Sequence, residues 1–354
     1  MTAAPPPGGR KTHMARVVQL TDGTTRRVAL VDEPTLRLVD GVSSIYELAT
    51  LATRTGDALS GLVQGRANGH VLDYDEVYAG RGPWRLLPPI DHPAEPARCI
   101  VSGTGLTHFG SARDRHAMHA GLVAQTGGAH AAEPTDSLRM FQAGVERGRP
   151  APGEVGVAPE WFYKGVGTML RGHDDALVVP RFAEGGGEEA EIAGVYVIAG
   201  DGTPCRVGLA AGNEFSDHRF ERRNYLNLAG SKLRSSAIGP ELALTPVFDA
   251  IPGEVWIERR GERIWTRAVA SGEAEMSHSL RNIEHHHFKF DAHRRPGDVH
   301  VHFFGAHSLS FGEGITLEDG DVMCIRFDGF GRPLRNTVRV EPAGDRPVDV
   351  RPLG

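Results

Sequence analysis

The sequence predicts an α+β protein that is mainly β. Three observations point there. From residue 155 onward, short runs rich in Val, Ile, Ala and Leu alternate with turn residues. Asp201-Gly202 is a tight hairpin signal between two of these runs. The clearest helical stripe of the first half, Ile45 to Gly65, sits among short strands rather than among further helices.

At 354 residues the chain is long enough for one large domain and a smaller one. Hydrophobic residues make up 40% and charged residues 24%, the composition of a soluble globular chain. A net charge of −6 gives no basis for binding nucleic acid or an anionic membrane surface. Cys99, Cys205 and Cys324 are odd in number and far apart, which argues against a disulfide framework and fits a reducing cytoplasm. Met1 to His13 is Pro- and Gly-rich without an apolar core, so residues 1–13 read as a disordered extension rather than a secretory signal. No apolar run is long enough to span a bilayer.

In order, Ala15 to Leu20 and Arg27 to Val31 read as strands around the turn Thr21-Asp22-Gly23-Thr24. Ser44 is placed to cap the helix from Ile45, whose stripe is Leu48, Leu51, Ala52, Leu59, Leu62 and Val63. Val71 to Val77 with Leu86 to Pro89 completes a small domain over 14–96. Its boundary is the Pro-rich stretch Pro88 to Pro96. The main domain, 97–354, opens with a strand Cys99 to Ser102 and a turn Gly103-Thr104-Gly105. Arg113 to Val123 and Ser137 to Arg147 are helix candidates, and the Gly/Ala-rich 127–137 reads as an active-site flap or a surface loop. Strands are expected at Ala176–Val179, Glu189–Ile198, Arg206–Ala210, Val255–Arg259, Ile264–Val269, Asp298–Phe304, Asp321–Phe327 and Thr337–Val340, with a helix at Phe220–Leu228.

The chemistry concentrates between Pro159 and Leu242. On a strand, the spacing of Glu189 and Glu191 puts both carboxylates on one face, where they repel unless a cation or proton lies between them. A hard divalent ion takes oxygen ligands and leaves a position open for substrate. Glu189, Glu191 and Glu214 are therefore the candidate metal ligands. His285-His286-His287, with His293, His300 and His302, does not predict zinc: on a strand successive residues alternate faces, and no Cys lies near. His300 and His302 share a face if extended.

The order of motifs resembles the fumarylacetoacetate hydrolase superfamily, over about residues 97 to 340. Its members carry Glu-x-Glu, then Asn-Asp-x-Ser/Thr, a lysine and Gly-Pro. Here these are Glu189/Glu191, Asn213-Glu214-Phe215-Ser216, Lys232 and Gly239-Pro240. The pattern Pro-x-x-Phe-x-Lys is present as Pro159 to Lys164, and the downstream Gly-Asp and Gly-x-x-x-x-Asn as Gly320-Asp321 and Gly331 to Asn336. The branch most resembled is that of the 2-keto-3-deoxy-arabinonate (sugar acid) dehydratases. One departure is Glu214, where the family has aspartate.

The resemblance implies a mixed β-roll behind a small N-terminal α+β domain, a cytoplasmic homodimer, and Mg²⁺, with Mn²⁺ or Ca²⁺ as alternatives. It implies a small 2-oxo acid as substrate and dehydration of a 2-keto-3-deoxy pentonate to a 2-oxo acid semialdehyde. It places Lys232 at the metal pocket as base or carboxylate anchor, with His108 as proton donor or substrate contact; the sequence does not separate the two roles. Lys164, Asn213, Arg234, His302, Gly305 and Ala306 are the expected substrate contacts. The rival is a metal-dependent hydrolase of a C–C bond in a 2,4-diketo acid. Its usual acid three residues after the histidine is replaced here by Ser111. A third reading is a non-catalytic sugar-acid-binding protein on the same fold.

Overall fold

The computed structural model describes residues 14–111 and 135–354. Met1 to His13, the helix expected at Arg113 to Val123 and most of the loop expected at 127–137 lie outside the described residues.

Two sheets organise the described chain. The larger has 13 strands. Its main path runs Ala67–Asp73, Thr35–Val39, Arg26–Asp32, Arg16–Thr21, Leu242–Ala243, Pro204–Asn213, Ala190–Ile198, Val299–Phe303, Cys99–Gly105 and Glu160–Val166. The smaller has five: Glu262–Ser271, Ile251–Arg259, Val322–Phe327, Leu334–Val340 and Leu177–Val179. Arg16–Thr21 pairs with Leu242–Ala243, so the 14–96 segment shares a sheet with the remainder.

Ala190–Ile198 lies at the centre and is buried along its whole length. Ala193, Val195 and Val197 pack with Val299, Val301, Phe303 and the helix residues Ile45, Leu48 and Val63. Ala190 and Ile192 face the other way, onto Val255, Ile257, Met323 and Ile325 of the five-stranded sheet. A strand covered on both faces reads as a nearly continuous apolar run, which this one is. Its hairpin with Pro204–Asn213 closes at Asp201-Gly202, as the turn signal implies.

Four local differences from the sequence expectation have physical reasons. The stripe from Ile45 is two helices, Ile45–Thr55 and Leu59–Arg66. Ser44 caps the first, accepting from the Glu47 N–H, and Gly56 ends it in the left-handed region at φ 75°. Gly103-Thr104-Gly105 is strand, not turn, because Gly103 pairs with both Phe303 and Phe162, and Thr104 and Gly105 continue the ladder with Trp161 and Glu160. Phe220–Leu228 is interrupted: helix His218–Arg223 stops at the extended Asn224, whose side chain accepts from the Leu226 N–H, and a second helix, Leu228–Lys232, follows. His285, His286 and His287 lie on a helix, Leu280–Phe288, capped by Ser279.

A buried ionic knot fastens the first ninety residues to the rest. Glu241 accepts from the Tyr74 hydroxyl at 2.9 Å and the Arg332 N–H at 3.0 Å, and pairs with Arg16 at 3.0 Å. The Arg332 guanidinium lies 3.8 Å from the Tyr74 ring centroid and pairs with Glu33 at 2.7 Å. Gly331 has φ 83°, and a Cβ there would stand 2.1 Å from the Glu241 carboxyl carbon. Gly331→Ala should therefore lower the unfolding free energy by at least about 1–3 kcal/mol, the cost of a strained backbone position, read as a lower midpoint in urea at unchanged m-value.

Candidate metal centre

The antiparallel register places Ala190 opposite Asn213, so Glu189 and Glu214 face each other where the ladder ends. The Glu214 N–H donates to the Glu189 carbonyl at 3.0 Å, and the Asn213 side-chain oxygen accepts from the Glu189 N–H at 3.3 Å. Glu189 and Glu191 continue the row of Ala193 and Val195, so the carboxylates stand where an apolar face would otherwise run on. Phe215, at φ 48°, turns the chain sharply after Glu214, a conformation unusual for a bulky residue and typical of functional sites. Carboxylate oxygens of Glu189, Glu191 and Glu214 all lie within 4.8 Å of one another, and all three residues are buried.

Two lysines meet them. Strand Glu160–Val166 points Glu160, Phe162 and Lys164 inward and leaves Trp161 and Tyr163 outside. Lys164, fully buried, pairs with Glu214 and donates to the Phe215 carbonyl at 2.8 Å. Lys232 ends the helix Leu228–Lys232, and its ammonium lies 2.5 Å from Glu189 Oε1, 2.7 Å from Glu214 Oε2 and 4.7 Å from the Phe162 ring centroid. Ser216 Oγ donates to Glu214 Oε2 at 2.6 Å. Glu191 is held by the main chain: the Gly305 N–H donates to its Oε2 at 2.7 Å. Gly305 has φ 100°, and a Cβ would stand 2.2 Å from Thr107 Oγ1.

The electrostatics are uneven. Burial pushes the Glu191 carboxyl well above its ordinary range, and the charges of Glu189 and Glu214 push it further. Burial acts on Glu189 in the same direction, but Lys232 and His218 outweigh it and hold Glu189 well below. Burial lowers Lys164 to about 8. Lys232, although buried, is held well above its ordinary value by Glu189 and Glu214.

The remaining expected site residues are placed as follows. Arg234 donates to the Gly185 carbonyl at 2.8 Å and to Asp217 at 3.3 Å. Asn213 is buried against Met323. His302 is bonded on both nitrogens, to Ser102 at 2.8 Å and Thr104 at 2.7 Å. Ala306 is buried beside Gly305. His108 is fully buried between Thr107 Oγ1 at 2.9 Å and Ser271 Oγ at 3.1 Å, and burial, with His307, lowers it to about 3. Ser111 donates to the His108 carbonyl, not to its ring. The histidines on and around helix Leu280–Phe288 form a packed layer, with His287 Nε2 2.9 Å from His300 Nδ1. Among the described residues, three candidate ligand groups converge at the glutamates and not in this layer.

Sequence reasoning missed His218. Its Nε2 lies 3.0 Å from Glu189 Oε1, and it lines a cavity of about 230 Å³ with Gly185, Gly186, Arg219, Phe311 and Thr316. The carboxylates do not line that cavity. The one available signal was its position two residues past Ser216.

No family model and no curated protein sequence matches the chain. Solved structures do. A 2-keto-3-deoxy-D-arabinonate dehydratase complexed with magnesium and 2,5-dioxopentanoate aligns at TM-score 0.66 and 18% identity, over 92% of this chain and 99% of that one. The chain has the fumarylacetoacetate hydrolase-like fold. A 2-hydroxyhepta-2,4-diene-1,7-dioate isomerase from Mycobacterium marinum aligns at TM-score 0.55 and 15% identity over 92% and 99%. A 5-carboxymethyl-2-hydroxymuconate delta-isomerase from Mycobacterium smegmatis aligns at 0.53 and 16% over 92% and 100%. Among the described residues no helix is long and apolar enough to cross a membrane.

The residues fit a hard divalent cation. The donors are all carboxylate oxygens, and the ion pairs of Lys164, Lys232 and His218 go to Glu189 and Glu214, while Glu191 is met by the Gly305 N–H.

The neutral histidines generate a pH prediction. His302 and His300 are lowered to about 3, by burial first. Unfolded histidine titrates near 6.5. The unfolded chain therefore takes up protons that the folded one refuses as pH falls from about 6.5 toward 3. The contribution to stability is complete above 6.5 and is lost down through that window. Denaturant unfolding of wild type should show stability falling with pH below 6.5, and His302→Gln should flatten that slope by about one proton, about 1.4 kcal/mol per pH unit.

Proposed function

We propose that the chain is a divalent-cation-dependent hydro-lyase that dehydrates a 2-keto-3-deoxy sugar acid, a pentonate, to a 2-oxo acid semialdehyde. The observation that carries this reading is the convergence of three buried carboxylates with a lysine bridging two of them. The fold shared with a dehydratase complexed with magnesium and 2,5-dioxopentanoate supports the reaction class. Position 111 is a serine that donates to the His108 carbonyl rather than a carboxylate, which favours dehydration over C–C hydrolysis, a reaction that needs an activated water.

Glu189, Glu191 and Glu214 would hold Mg²⁺, with Mn²⁺ or Ca²⁺ as alternatives. The ion would supply Lewis acidity toward the substrate's 2-oxo group. Glu189 and Glu214 hold Lys232 as an ammonium in the structure; with the ion's charge on those carboxylates, and burial, lowering its pKa, Lys232 would act as the free amine and take a proton from C3. The ammonium so formed returns a proton to the C4 hydroxyl as the C4–O bond breaks, so water leaves with no net proton change. Isomerisation of the resulting C3–C4 double bond gives the C5 aldehyde without further loss of atoms. Lys164 keeps Glu214 in place, and the Gly305 N–H does the same for Glu191. His108, neutral and bonded on both nitrogens, shapes the wall beside Gly305 in this reading and is not the proton donor. A cytoplasmic homodimer belongs to the same proposal.

Incubation with Mg²⁺ and a panel of 2-keto-3-deoxy acids and 2,4-diketo acids tests it. A semialdehyde from a keto-deoxy acid is expected. Pyruvate plus a second fragment means a hydrolase, and no product from either set means a binding protein. Activity should vanish in EDTA and in Glu191→Gln. Lys232→Met should lower kcat by roughly a hundredfold or more, the scale of a positioned acid–base group. A raised KM at unchanged kcat would reduce Lys232 to an anchor.

A further inference from the structure

Resting on the metal reading above, we propose that the Lys232 ammonium is a built-in counterion that holds the cation's place in the metal-free protein and is displaced when the metal binds. The ammonium occupies the gap between Glu189 and Glu214, at 2.5 and 2.7 Å from one oxygen of each, and those residues are two of the three converging carboxylates. A divalent ion held by the same carboxylates meets a like charge at close range, and in a buried site that repulsion is poorly screened.

The two lysines differ in how firmly they are tied. Lys164 sits in mid-strand, is fully buried and donates to the Phe215 carbonyl, a partner no metal removes. Lys232 ends a five-residue helix, and its ammonium meets two carboxylates and a ring face. Around that helix the chain is at the surface: Leu226 is 87% and Leu233 50% exposed. Of the two lysines, then, one is fixed and one can be released. A released ammonium would remain at the same pocket, free to pair with the carboxylate of an arriving 2-oxo acid. Metal must then bind before substrate.

Isothermal titration of Mg²⁺ and Mn²⁺ into EDTA-stripped protein tests this without recourse to activity. Removal of the competing charge in Lys232→Met should tighten metal binding at least tenfold, while Lys232→Arg, which keeps the charge, should bind no tighter than wild type. In EDTA the methionine variant should melt below wild type and gain more Tm on adding Mg²⁺, following ligand linkage. If that variant does not fold in EDTA, Lys232→Gln takes its place with the same expected direction. Equal or weaker metal affinity in the neutral variants, alongside binding by wild type, overturns the counterion role and leaves the metal site standing. No binding by any form overturns both.

Discussion

The structure depends on keeping three carboxylates out of water at the end of an apolar ladder. An isolated buried anion is costly, and the cost falls only when positive charge and hydrogen bonds are supplied in place. The fold supplies them from four directions. The edge strand Glu160–Val166 turns Lys164 inward, the short helix after Asn227 delivers Lys232, Ser216 donates across its own turn, and Gly305 donates from the main chain. The left-handed residue Phe215 lets Glu214 end one strand while its carbonyl still reaches Lys164.

The strand that carries the pair is also the one on which both cores close. One face packs against the N-terminal helices and the other against the five-stranded sheet. The carboxylates are therefore positioned by the most constrained part of the molecule. That suits the proposed site, in which the three carboxylates would have to keep a fixed separation.

Much of this was legible in the sequence, for identifiable reasons. The spacing of Glu189 and Glu191 fixes a common face once a strand is granted, and Asp201-Gly202 fixes the partner that brings Glu214 opposite. The place of Lys232 near the carboxylates followed from motif order; Lys164 was expected only as a substrate contact, and its pairing with Glu214 was not foreseen. Other features were not legible because they depend on tertiary partners. Gly103 and Gly105 look like turn residues until neighbouring strands claim their backbone, on two sides at Gly103 and on one at Gly105. The break at Asn224 is decided by its own side chain bonding to the Leu226 N–H. His218 is an ordinary residue on a helix start until the fold brings Glu189 to its ring. The histidine run was weighed as strand, but Ser279 starts a helix and hides His287 in a neutral layer.

One of the three carboxylates is steadied by a partner that has no side chain. Glu191 is oriented by the amide of Gly305, and a peptide group is supplied by every residue except proline. Drift in sequence cannot delete that donor; it can only spoil the path of the backbone that presents it. Divergent descendants of this fold would thus keep the third carboxylate aligned while nearly every neighbouring residue changes, provided the position stays small. The constraint is one of shape rather than of chemistry, which makes it invisible to any comparison that scores residues by their functional groups.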